Sequence, residues 1–200
     1  GHNLAIGYTA LGSADNVESN NIALGNFAMY NVDNDSSNKN VAIGHGALAG
    51  GSSAIAECIA IGYQALDDAS HNTTGTVAIG MQALTALTSG GSNTAVGYKS
   101  MDAATTSGNN VAIGYNSLTS VVDSCNSNVA VGVQALQSLT VGTNSGAGSN
   151  SVNGNIGVGY NAFGTASLGS HSDSTDRAIS GNIAIGKNAL DATAGKPQTG

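Results

Sequence analysis

The chain has 200 residues, and Ala, Gly, Ser, Asn and Thr together account for 122 of them. Leu, Ile, Val and Phe supply only 40 residues, near the roughly 20% level below which chains tend to stay disordered. Only 8% of the residues are charged, so the self-repulsion that keeps most disordered chains open is missing. The composition disfavours a globular enzyme with a thick core. It leaves two classes, a low-complexity coil or a regular array built from small residues.

The charge balance narrows the possible partners. Five basic residues against twelve acidic ones give a net charge of −7, with no cluster of Lys or Arg, so we expect no nucleic-acid partner. No run approaches the roughly 20 apolar residues that span a bilayer, so we expect no membrane insertion. The first eight residues lack the basic start and the long apolar core of a signal peptide. Because the pattern described below runs to both ends, we expect a fragment of a longer fibre.

A nine-residue block repeats along the chain in the form N-φ-A-φ-G-x-x-A-φ, where φ is a large apolar residue. Successive central glycines are separated by 18, 19, 18, 18, 17, 17, 18, 27 and 27 residues. This period predicts an all-β fold, a parallel β-solenoid of about ten coils of 17–19 residues with two longer coils, forming one domain over residues 1–200. The central glycines are Gly7, Gly25, Gly44, Gly62, Gly80, Gly97, Gly114, Gly132, Gly159 and Gly186.

Each block alternates with the period of a strand, which puts Leu4 and Ile6 on one face and Ala5 and Gly7 on the other. We expect the large apolar residues to line the interior, stacked about 4.7 Å apart, together with the apolar residue four after each Gly. The face of Ala, Ser and Gly then points outward and packs against other copies in a homotrimer. On this interpretation Ile113→Asp strongly destabilises the fold, whereas Ala112→Leu impairs only assembly.

Two columns of the repeat carry specific expectations. The central Gly is present in all ten blocks and predicts a tight bend between short strands, with close approach of a ligand as the alternative. An Asn opens eight of the ten blocks and predicts a ladder of side-chain amides from coil to coil, with carbohydrate contact as the alternative.

Candidate recognition residues lie outside the apolar columns. The two longest spacers, loops 137–154 and 164–181, project from the array where recognition usually occurs. Five of the six tyrosines directly follow the repeat Gly, which suits either a stacking platform for sugars or a structural girdle. The candidate receptor-binding residues are Tyr63, Tyr98, Tyr115, Tyr160, His171, Asp173 and Asp176.

The blocks resemble repeats of known fibrous proteins from Asn3 to about Leu190. The A-I-G core after Asn and an apolar residue resembles the head repeats of YadA-like trimeric autotransporter adhesins. The fuller form NTAVGYKSM at Asn93 resembles repeats of bacteriophage tail fibres and tail spikes. The resemblance implies a trimeric, left-handed parallel β-roll used as a fibre shaft or adhesive head. The coils are longer than those of the adhesins, which favours the phage fibre.

Catalytic chemistry finds little support in the sequence. No nucleophile, base and orienting residue can be combined, so we expect no enzyme, no cofactor and no metal site. Cleavage of polysaccharide stays an alternative, with carboxylates from loop residues such as Asp67, Asp68, Asp173 and Asp176. Cys58 and Cys125 lie nearly four coils apart, roughly 17 Å, which is beyond the reach of a disulfide.

These patterns together predict a structural and host-attachment segment of a trimeric phage tail fibre. The expected partners are two further copies of the chain and a glycan or protein receptor on the host-cell surface, and the expected location is the virion. Two alternatives stay open: the head domain of a bacterial trimeric autotransporter adhesin at the cell surface, and a polysaccharide-cleaving tail spike.

Overall fold

The structure is a computed structural model that describes residues 1–13, 18–32, 36–51, 54–69, 73–120, 125–141, 150–168 and 177–191. This part of the chain forms fifteen β-strands and no helix. It accordingly contains no helix that could cross a membrane.

The repeat blocks form one long parallel sheet. Each block contributes a three-residue strand, and each strand pairs in parallel with the strand of the next block. The middle residues lie opposite each other, and they are Ala in nine strands and Gly157 in the other. The fold is therefore a parallel β-solenoid, as the period predicts. The ten strands are β1 (Leu4–Ile6), β2 (Ile22–Leu24), β3 (Val41–Ile43), β4 (Ile59–Ile61), β5 (Val77–Ile79), β6 (Thr94–Val96), β7 (Val111–Ile113), β9 (Val129–Val131), β12 (Ile156–Val158) and β15 (Ile183–Ile185).

Five further strands lie between blocks towards the end of the chain. They are β8 (Cys125–Asn126), β10 (Ser138–Val141), β11 (Asn150–Asn153), β13 (Thr165–Leu168) and β14 (Arg177–Ser180). β10 pairs in parallel with β13, and β11 lies between β14 and β8. The two long spacers thus add strands that stack on each other. Their central residues, 142–149 and 169–176, lie outside the described residues, and with them His171, Asp173 and Asp176.

The two sides of the strand are reversed relative to the sequence interpretation. Ala112 is 0% exposed, whereas Ile113 beside it is 41% exposed. Leu4 and Ile6 are likewise exposed rather than interior. Alternation separates two faces but does not say which is inside. The alanines at the same position in the other strands from β2 to β9 are also fully buried: Ala23, Ala42, Ala60, Ala78, Ala95 and Ala130.

The narrow interior explains why Ala rather than Ile faces inward. In β12 the Ala is replaced by Gly157, where an added Cβ would come within 2.9 Å of Leu136 Cδ2. The large residue four after the Gly therefore reaches across and fills the space beneath the strand. Its burial was expected, and large spacer residues such as Ile55, Leu87 and Leu139 join it in the core. The buried members of the column are Met29, Leu48, Leu66, Leu84, Met101, Leu118, Leu136 and Phe163.

The Gly column marks a bend, as expected. Its ten glycines have φ between 120° and 139°, a region that side chains rarely adopt. Successive bends also lie close together. A Cβ added to Gly62 would come within 2.5 Å of the carbonyl oxygen of Gly80. Both the conformation and the stacking therefore require Gly.

The Asn column forms the expected ladder inside the solenoid. Asn110 Oδ1 accepts hydrogen bonds from Asn128 N at 2.9 Å and Asn128 Nδ2 at 3.0 Å. Asn110 Nδ2 donates to the carbonyl oxygen of Cys125 at 2.8 Å. The side chain thus ties a block to the next block and to the spacer between them. Two blocks lack the Asn and begin with Cys58 and Thr76 instead.

Candidate functional site

The outer side of the ten-stranded sheet is a continuous apolar surface, here called the apolar face. It consists of the two residues that flank the buried position of each strand. Nineteen of these twenty side chains are Ile, Val or Leu, and Thr94 is the exception. Nine steps of about 4.8 Å between ten strands make it about 43 Å long.

Within the described residues, no strand outside this sheet packs against the apolar face. Ile113 is 41% exposed, and the face carries no charged residue. Monomeric proteins rarely expose contiguous apolar patches larger than a few hundred Å². Since the face runs the length of the sheet, it has the character of a protein interface.

The column that follows the repeat Gly holds the predicted tyrosines. Tyr98 and Tyr115 stack with ring centroids 5.3 Å apart and planes 9° from parallel. Lys99 Nζ lies 5.9 Å from the Tyr98 ring, and Lys187 Nζ lies 5.9 Å from the Tyr160 ring. Because Tyr98 and Tyr115 turn faces towards each other, this pair suits a structural girdle better than a platform for sugars.

A second aromatic group lies at the other end of the sheet and is here called the aromatic patch. Phe27 lies at its centre, with ring centroids 5.5 Å from Tyr8, 5.6 Å from Tyr30 and 5.6 Å from His45, all edge to face. His45 stacks on Tyr63 at 5.4 Å. Of the predicted receptor-binding residues, only Tyr63 belongs to this patch.

Phe27 and Tyr30 were missed by the sequence analysis, although a signal was present. The position two after the repeat Gly is Thr, Gly, Gln, Lys or Asn in the other nine blocks. The position five after it is Tyr only in the second block. The signal is that each of these two aromatic residues stands in a column that holds no aromatic residue in any other block.

A shallow groove of about 390 Å³ adjoins the aromatic patch. Its lining includes Asn31, Gly50, Asp67, Asp68 and Thr88. Partial burial raises the pKa of Asp67, and the nearby charge of Asp68 raises it further. A hydrogen bond from Gln64 Nε2 to Asp67 Oδ2 at 3.1 Å opposes this shift. The groove therefore holds two carboxylates, an amide and a hydroxyl.

A second groove of about 450 Å³ lies on the side of the solenoid formed by the residues that precede each block. Gly90, Gly91 and Gly108 bound it, with neutral hydroxyl and amide side chains around them. It offers exposed backbone and no charge.

The described residues offer no evident catalytic or metal centre. They contain no group of three or more His, Cys, Asp or Glu side chains that could hold a metal ion. Cys58 and Cys125 are free thiols inside the solenoid. Burial raises the pKa of Cys58 and raises that of Cys125 to about 12, so both thiols stay protonated at neutral pH. Of the four carboxylates suggested for a cleavage reaction, Asp67 and Asp68 line one groove, and Asp173 and Asp176 lie outside the described residues.

Comparison of the chain with protein-family models, with curated proteins and with solved structures finds no match.

Proposed function

We propose that this chain is a structural and host-attachment segment of a trimeric phage tail fibre, located on the virion. The apolar face is the observation that carries the proposal. Three copies that turn their apolar faces towards a common axis, parallel to the solenoid, would remove these side chains from water. The alanine columns cannot serve this purpose, because they lie inside each chain.

The partner for the apolar face is best supplied by another copy of the chain. A surface that repeats with each strand over the whole sheet needs a partner with the same spacing. A second copy in parallel register has that spacing because it contains the same strands. In an assembly with closed symmetry, the equivalent surface of every copy is covered. Each Å² of apolar area removed from water contributes about 25 cal/mol to the stability of the assembly, so the contribution grows with the length of the face.

Analytical ultracentrifugation of the wild type and Ile113→Asp tests this assembly. We expect a wild-type mass of three times the 19.5 kDa chain mass. Ile113→Asp places a charge in the interface and should weaken trimer formation by at least tenfold, about 1.4 kcal/mol. Its far-UV circular dichroism should stay that of a folded β protein.

Ser120→Asp is the matched control, because it adds the same charge to an exposed position between β7 and β8 that does not belong to the apolar face. It should remain trimeric. A folded wild-type monomer at micromolar concentration would contradict the proposal. Trimers that are equally stable in Ile113→Asp would place the interface elsewhere.

The attachment role is supported by what the array presents outside the apolar face. The described parts of the long spacers, β10, β11, β13 and β14, pair in parallel outside the ten-stranded sheet, and the aromatic columns repeat with the blocks. Binding to a glycan array tests this role, with at least one host-surface glycan expected to bind. The same trimer would also serve as the head of a bacterial adhesin. The flanking sequence separates the two, since the adhesin carries a membrane anchor and the phage fibre a tail-attachment domain.

A further inference from the structure

The second block departs from the repeat on its outer surface. Phe27 occupies a column that holds Gln in three other blocks, at Gln64, Gln82 and Gln134. Tyr30 occupies a column that holds Thr in two others. Those blocks form the same strands and bends with polar residues. The solenoid fold therefore does not require these two rings.

Three of the four ring contacts in the aromatic patch are edge to face, whereas His45 and Tyr63 stack, as Tyr98 and Tyr115 do. Phe27 contacts Tyr8, Tyr30 and His45 at interplanar angles of 80°, 88° and 61°. An edge-to-face pair covers one ring face, whereas a stacked pair covers two. Tyr8, Tyr30 and Tyr63 are exposed. The patch thus gathers five rings, whereas the Tyr98–Tyr115 stack has two.

The groove beside the patch supplies polar groups. Asn31, which lines it, directly follows Tyr30. Asp67 lines it from the other side and lies close enough to His45 for an electrostatic interaction. Asp68 adds an exposed carboxylate. Carboxylate oxygens accept hydrogen bonds from hydroxyl groups, and a side-chain amide both donates and accepts them.

Backbone rather than side chains forms part of the groove wall. A Cβ added to Gly50 would overlap the carbonyl oxygen of Ala69, so no larger residue fits there. Gly51 follows it in the groove. Close stacking on Ala69 therefore accounts for Gly50, and Gly50 and Gly51 contribute backbone to the groove wall.

The geometry points to a saccharide-binding site made of the aromatic patch and the groove, which takes neutral or amine-bearing hexoses. The inference rests on the proposed attachment function and names its ligand class. Apolar C–H faces of a sugar ring stack on the exposed aromatic surface, and the sugar hydroxyls reach Asn31 and Asp68. The two carboxylates of the groove and the net charge of −7 disfavour sialylated or uronic-acid glycans.

The repeat itself supplies substitutions that should remove the site and keep the fold. Phe27 has φ 59°, and Gln adopts 50°, 57° and 58° in the same column at Gln64, Gln82 and Gln134. The double variant Phe27→Gln, Tyr30→Thr therefore replaces both rings with residues that the solenoid already accepts. Asn116→Gln is the matched control, because it changes the same column near β7, away from the patch.

The full-length chain and these variants are compared on an array of neutral, amino-sugar and sialylated oligosaccharides. The best wild-type glycan is then titrated by calorimetry. The expected result is wild-type binding to a neutral or amino-sugar glycan, at least tenfold weaker binding by the double variant, and a change of less than twofold in Asn116→Gln. Asp68→Asn should weaken binding severalfold.

Two results would overturn the site. One is wild-type binding that the double variant retains within twofold. The other is a preference of the wild type for sialylated glycans. Absence of any wild-type glycan binding would instead contradict the glycan-attachment role, and the site with it. The ultracentrifugation experiment would still stand as a separate test of the trimer.

Discussion

Neighbouring residues of each strand lie on opposite faces of the ten-stranded sheet, and the two faces have different surroundings. In β7, Ala112 is fully buried and Ile113 is 41% exposed. The small residue is inside because the large one four after the Gly crosses the narrow interior to meet it. The large residues outside are the ones that the proposed trimer would cover. Within each strand, the small side chain packs against the core and the two large ones form the outer apolar face.

The largest expected effect comes from enlarging the inner face. Ala112→Leu should lower the free energy of unfolding by about 3 kcal/mol, because the interior has no room for three more carbon atoms. Chemical denaturation followed by circular dichroism at fixed protein concentration measures this change. Ile113→Leu, on the outer face, is the control and should change stability little. A stable Ala112→Leu chain that merely fails to assemble would support the opposite orientation, with Ala112 outside and Ile113 in the interior.

Much of the fold follows from the sequence, but the orientation of the strand does not. The glycine spacing predicts parallel strands in register, and the Asn column predicts the ladder. Alternation of Val111, Ala112 and Ile113 identifies two faces without saying which is inside. Hydrophobicity alone favours Ile in the interior. The answer depends on the width of the coil, which is set by Leu118 reaching across from the opposite side and is not a property of any local pattern.

Of the predicted receptor-binding residues, only Tyr63 belongs to the candidate site, for a related reason. The tyrosines were chosen because they recur, and recurrence is what a structural column produces. Tyr98 and Tyr115 indeed stack face to face. Phe27 and Tyr30 depart from the repeat, so the recurrence of a column does not predict them. The groove beside them is lined by residues of several blocks, such as Asn31 and Asp67, that only the stacked structure brings to one groove.

The Asn ladder is the next test of the inner face. Asn110→Ala should lower the free energy of unfolding by about 2–3 kcal/mol, because it leaves the buried Asn128 N–H and Cys125 carbonyl without these hydrogen bonds. Urea denaturation measures the loss. Ser120→Ala, at an exposed position, should cost less than about 0.5 kcal/mol. A loss no larger than that of the control would show that the ladder contributes little.

The buried thiol of Cys125 gives the inner face a pH dependence. Its pKa is raised to about 12 by burial, against 9.0 for the free group, so the neutral form is favoured in the folded chain. This contribution is complete below about pH 9. It declines between about pH 9 and 12, by at most about 1.4 kcal/mol for each pH unit, because the unfolded chain ionises first.

The comparison of wild type with Cys125→Val isolates this effect from other alkaline titrations. Valine occupies the equivalent position at Val152. Unfolding free energies measured between pH 8 and 10.5 should fall more steeply in the wild type. Parallel profiles would mean that the thiol is not held in its neutral form by the fold.

The smallest expected effect comes from placing Asn at a position of the ladder that lacks it. Thr76 is buried where most blocks have Asn, and its Oγ1 has no hydrogen-bond partner among the described residues. Thr76→Asn should supply an Oδ1 acceptor for Asn93 N and an Nδ2 donor for the Gly90 carbonyl, and raise the free energy of unfolding by about 1 kcal/mol. Thr76→Val keeps the shape without these hydrogen bonds and is the matched control. If Asn stabilises the chain no more than Val does, the ladder stabilises by packing rather than by its hydrogen bonds.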